Sequence, residues 1–146
     1  MPSFPIQVLG TTELVARIRA LDDITRQQVM VAATQVGAMK TVNRAKQIAR
    51  TKDIYQTGTL IRDIHQVEIA TTSMTCTVSV GNLVPYARRQ ELGWPAGKAD
   101  SLGRVAKVGQ AARPYLRPAL LETKDQVKTT VGKALGLAIM KVAKKP

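Results

Sequence analysis

The chain has 146 residues, 45% hydrophobic but only 3% aromatic, and 22 Lys/Arg against 10 Asp/Glu give it a formal net charge of +12. That is the length of one domain, with a core to be built from Val, Leu, Ile, Ala and Met rather than from rings. A single cysteine, Cys76, excludes an intrachain disulfide; no apolar run approaches the roughly 18 residues of a membrane span, and no secretory signal is visible at the N-terminus.

Residues 1–11, with Pro2, Pro5 and Gly10, read as an irregular lead-in. Thr11 or Thr12 can cap a short helix to about Leu21, with Leu14, Ile18 and Leu21 on one face. Asp22-Asp23 interrupts the pattern and caps a second helix, from Ile24 to about Arg50. Its apolar positions are Val29, Ala32, Ala33, Val36, Met39 and Ile48, and Ala32, Ala33 and Gly37 permit close approach of another element. Arg44, Lys46 and Arg50 suit the negative end of that helix. Together these helices make a helical arm over 12–50.

A polar connector leads to the turn signal Thr57-Gly58-Thr59. Leu60 to Ile69 reads as a strand, with Ile61, Val67 and Ile69 alternating. Leu60 and Ile64 fall on the opposite parity, which means two covered faces or a bulge. Thr75 to Val80 alternates cleanly, and the two strands are expected to pair as an antiparallel hairpin ending at Gly81-Asn82. A short helix or turn from Val84 to Leu92, closed by Gly93, completes the unit 58–93. Residues 94–112 read as a long basic, mobile loop carrying Gly97, Gly103 and Gly109 with Lys98, Arg104 and Lys107.

Pro114 and Pro118 then hold Arg113 and Arg117 extended, and Pro118 suits the first turn of a helix over 118–142. Tyr115 and Leu116, between the two prolines, are the expected core anchors. Leu120, Leu121, Val127, Val131, Leu135, Ile139 and Val142 form the helix's apolar stripe, with the stems of Lys124 and Lys128 lying along it. The fold class is α+β: an N-terminal helix pair, a small antiparallel β-sheet and a long C-terminal helix in a single domain.

Catalytic chemistry is hard to assemble from these residues. The one histidine, His65, has no cysteine or acid at a motif spacing, and one Cys with one His makes no zinc site. Gly93-Trp94-Pro95-Ala96-Gly97-Lys98-Ala99 has three residues between its glycines, not four, and no Ser/Thr after the lysine, so it is no phosphate loop. The expectation is no enzyme, no cofactor and no metal. The charge is uneven: residues 101–146 carry ten basic residues against two acids, and residues 51–100 carry five of each. Such basicity favours polyanions.

Three segments together resemble one family. Thr57-Gly58-Thr59-Leu60-Ile61-Arg62-Asp63-Ile64 matches TG-x-L-x-x-x-I. Val78-Ser79-Val80-Gly81, then Tyr86-Ala87 and Gln90-Glu91-Leu92-Gly93, match V-x-V-G … Y-A … x-E-x-G. Arg113-Pro114-Tyr115-Leu116-Arg117-Pro118-Ala119-Leu120 matches x-P-F-L-R-P-A-L, with Tyr for Phe. In this order the segments resemble the neck, or tail-completion, proteins of long-tailed bacteriophages. The connector 51–56 departs from the family by lacking the P-V-D often found ahead of the TG.

The resemblance implies a virion protein, assembled in the host cytoplasm into a homo-oligomeric ring at the head–tail junction. Its neighbours would be a head-closure or connector protein and a tail terminator or tail tube protein, with genome DNA passing through the lumen without sequence specificity and no membrane involved. Tyr86, Glu91 and Trp94 become candidate subunit-interface residues. Trp94 serves equally well as a packing residue of the monomer, and Glu91 pairs either with Arg88 or with a cation of the next subunit. Lys98, Arg104 and Lys107 are candidates for the DNA channel or for a neighbouring ring, solvent being the third reading. A tail terminator and a free basic nucleic-acid-binding module are the rival functions.

Overall fold

A computed structural model describes residues 3–7, 23–52, 54, 58–72, 75–99, 103, 105 and 107–143. In chain order the elements are β1 (Ser3–Gln7), α1 (Asp23–Thr51), α2 (Thr59–Asp63), β2 (His65–Thr71), β3 (Cys76–Gly81), α3 (Ala87–Leu92) and α4 (Leu116–Ala143). The architecture is α+β, as the sequence implies. The helix expected over 12–21, Arg104 and the terminal lysines Lys144 and Lys145 lie outside the described residues.

The sheet has three strands in the order β1-β3-β2, each neighbour antiparallel. The expected β2–β3 hairpin is present, and its register shifts between Gln66 and Glu68. The lead-in supplies an unexpected third strand, with Phe4 opposite Val80 and Ile6 opposite Val78. Central β3 buries Cys76, Val78, Ser79 and Val80.

The stretch from Leu60 is not strand. Gly58, at φ 73°, opens the single helical turn α2, and β2 begins only at His65. Leu60, Ile61 and Ile64 are all buried. Their i, i+1, i+4 spacing puts them on one side of a helical turn, whereas a strand would split Leu60 from Ile61.

α1 packs along α4 and, beside it, against β2 and β3. The helices are antiparallel: Gly37 meets Val127 and Val131, Thr41 meets Thr123, and Arg44 meets Glu122. Gly37 is required there, because a Cβ would fall well inside the contact radius of a Val131 methyl. The Thr41 and Thr123 hydroxyls, buried in this seam, bond each other at 2.9 Å. Ala119, Thr123, Val127, Val131, Leu135 and Ile139, one every fourth residue, form the buried ridge of α4.

The stripe expected on α1 is partly wrong. Ala32, Val36 and Met39 face solvent, and the buried side is Met30, Ala33, Thr34, Ala38, Thr41, Val42, Ala45, Ile48 and Ala49. On α4, Leu121 is likewise exposed, and Lys124 and Lys128 are solvent-facing. The described residues of the segment 94–112 are not without structure of their own. Antiparallel bridges link Trp94 with Gln110 and Ala99 with Val105. Gly93 permits the return, since at φ 75° its Cβ would lie 2.8 Å from the Gln110 carbonyl oxygen.

Candidate functional site

An α-helix begins with four backbone N–H groups that have no partner within it. The first bond inside α4 runs from Ala119 N to Tyr115 O, so the four orphan positions are Tyr115, Leu116, Arg117 and Pro118. Glu91 satisfies three of them. Its Oε2 accepts from Tyr115 N at 2.8 Å and Leu116 N at 3.0 Å, and its Oε1 accepts from Arg117 N at 3.0 Å. The fourth position is proline and has no N–H to satisfy. A carboxylate at the positive end of the helix is also electrostatically favoured.

Tyr115 extends this arrangement inward. Its ring is fully buried, and its hydroxyl donates to Asn82 Oδ1 at 2.5 Å. Asn82 Nδ2 in turn donates to the Leu60 carbonyl at 2.9 Å. Burial raises the Tyr115 phenol well above the usual tyrosine range, and the charges of Glu91 and Asp63 push the same way. Arg113 N donates to the Gln90 carbonyl at 2.7 Å, tying α3 to the entry of α4 a second time. Nearby, Asp63 Oδ2 accepts from Leu83 N at 2.5 Å and Val84 N at 3.0 Å, fixing the exit from β3. One node thus joins α2, the end of β3, α3 and the start of α4.

The expected roles divide. Tyr115 and Leu116 are core anchors, 0% and 1% exposed. Glu91 is not a surface partner for Arg88 or for another subunit, because it is 3% exposed and committed to three main-chain donors. Trp94 is half-buried, and its indole N–H donates to the Lys98 carbonyl at 3.0 Å. Arg89 and Lys98 both approach its ring, with Arg89 Cζ 4.9 Å and Lys98 Nζ 5.4 Å from the centroid. Trp94 therefore organises the base of the loop and holds Lys98 locally, while Lys107 is exposed. Tyr86 is exposed, beside exposed Leu83 and Leu92.

Asn82 and Asp63 were not anticipated as parts of the node. Each follows a local signal, a Gly-Asn strand end and an acid beside a turn, but their partners lie far along the chain, 22 residues away for Leu60 and 20 for Leu83. Among the described residues, no cluster of three or more His, Cys, Asp or Glu could hold a metal ion. No helix among them is long and apolar enough to cross a membrane. No family model, curated protein or solved structure matches the chain.

Proposed function

We propose that this chain is a structural subunit of the neck ring at the head–tail junction of a long-tailed bacteriophage. The observation that carries the reading is the node itself. The three segments resembling neck proteins are far apart in sequence, yet Leu60, Asn82, Glu91 and Tyr115 join them by hydrogen bonds. Sequence patterns that are weak one at a time become a single physical unit, the one that fixes how α4 leaves the β-sheet.

A subunit of a closed ring needs two different complementary surfaces. Exposed apolar side chains occur on separate elements: Leu83, Tyr86 and Leu92 around α3, Val105 and Val108 on the folded-back loop, and Val36 and Met39 on α1. In this reading they meet a second copy, a head-closure or connector protein, and a tail terminator or tube protein. The protein acts by shape and contact, without a reaction or cofactor, in the virion neck.

Electron microscopy of purified particles, with an antibody against this chain, tests the proposal. Label at the head–tail junction is expected. Label confined to the ring that caps the tail tube selects a terminator instead, and absence from intact virions overturns both.

A further inference from the structure

We infer that the end of the helix pair where α1 finishes and α4 begins is a surface for the phosphates of duplex DNA. This deepens the ring reading, and rests on it only for the identity of the polyanion met in the particle. Arg50, Lys52, Arg62, Arg113 and Arg117 are all exposed and come from three stretches of chain that converge there. Lys52 Nζ donates to the Pro114 carbonyl at 2.7 Å, which holds the lysine beside Arg113. Arg50 and Arg62 line one open depression of about 360 Å³ with Gly58 and Ile61.

Three described carboxylates in this part of the fold are committed elsewhere. Glu91 takes three backbone donors at the start of α4, Asp63 takes two after β3, and Glu122 pairs with Arg44 at 2.5 Å. Among the described residues, none of Arg50, Lys52, Arg113 and Arg117 forms an ion pair with an acid. Like charges gathered this way repel, and a polyanion relieves that repulsion. Because Glu91 fills the N-terminus of α4, side chains and not backbone amides supply the contacts.

The composition of the cluster favours phosphate. Four of its five cations are arginine, whose planar fork pairs bidentately with phosphate oxygens. Beyond Arg117, the cations of α4 are all lysines, at 124, 128, 133 and 141. Contacts of this kind ignore base sequence. Lys98, drawn onto the Trp94 ring, is the weaker candidate for the same task.

The test uses the full chain and a short fluorescent duplex of mixed sequence, with anisotropy read across a salt series. Each lost phosphate contact lowers the slope of log K against log salt by about 0.9. The Arg50→Gln, Lys52→Gln, Arg113→Gln, Arg117→Gln combination is expected to flatten the slope by about 2 to 4 and to weaken binding at least about tenfold at low salt. Arg50→Lys with Arg113→Lys and Arg117→Lys is expected to keep the slope, as is Lys98→Gln with Lys107→Gln. Should the fourfold variant unfold, Arg50→Gln and Arg113→Gln alone each report a loss of about 0.9.

An unchanged slope in the arginine-to-glutamine variants, an equal loss from the loop pair, or tighter binding to poly-glutamate than to the duplex overturns the assignment. The last of these would make the partner an acidic protein. DNA binding lost as expected in a chain absent from virions would sink the ring reading alone. A labelled neck with an unaltered slope would sink this inference alone.

Discussion

Glu91 shows how far one side chain's role departs from its composition-level reading. In a chain of net charge +12, an acid invites assignment to the nearest cation. Backbone geometry overrides that preference. Hydrogen bonds to a charged group contribute more than neutral ones, and an unmet buried donor costs about 1–3 kcal/mol. Glu91→Gln replaces one accepting oxygen with an NH₂ that must face an N–H. It is expected to lower the unfolding free energy by about 1–3 kcal/mol in urea, without changing the slope of the transition. Arg88→Gln, at an exposed position, is expected to change stability by less than about 0.5 kcal/mol. Equal losses at the two positions would restore the surface pair and remove the cap.

At the level of elements, the seam between α1 and α4 is set by small residues. Gly37→Ala places a methyl against Val131 and is expected to destabilise by about 1–3 kcal/mol as the helices are forced apart. Gly132→Ala, in α4 with no atom near its Cβ position, is expected to stabilise by about 0.5–1 kcal/mol through helix propensity. Thermal or urea unfolding of both variants checks the pair. Opposite signs identify Gly37 as a contact glycine, while stabilisation by both would show a loose seam.

The seam also explains what was legible in the sequence. α1, α4 and the β2–β3 hairpin were visible because long 3.6-residue and two-residue periods survive local noise. The buried side of α1 was not, since Thr34, Gly37, Ala38, Thr41 and Ala45 carry little hydrophobic signal while exposed Val36 and Met39 carry much. α2 is one turn, too short to show a period, and β1 contains Pro5 and gains its strand character only by pairing with β3. Tyr115 and Leu116 stood out between two prolines. Glu91 did not, because the donors it caps begin 24 residues later.

For the whole molecule, the folded-back segment is where the proposed assembly and the monomer's stability can be told apart. Trp94 and Gln110 exchange both backbone hydrogen bonds, at 2.8 and 2.7 Å, so the chain leaves and returns at one point. Between them, Pro95 to Ala99, Val105 and Lys107 to Gly109 are exposed, and Val108 is 81% so. Little of the monomer's buried area resides there, whereas a subunit that presents Val105 and Val108 to water gains by covering them. Replacing residues 95–109 with Asn-Gly keeps the Trp94–Gln110 pair and closes it with a two-residue turn. The shortened chain is expected to unfold within about 4 °C of the parent, corresponding to less than about 1 kcal/mol. Its self-association by sedimentation velocity is expected to fall sharply. If the shortened chain still self-associates, the contacts of the proposed ring lie elsewhere, with Leu83, Tyr86 and Leu92 the next surface to substitute. If it fails to fold, the loop belongs to the core unit, and the division between a rigid body and an assembling arm is wrong.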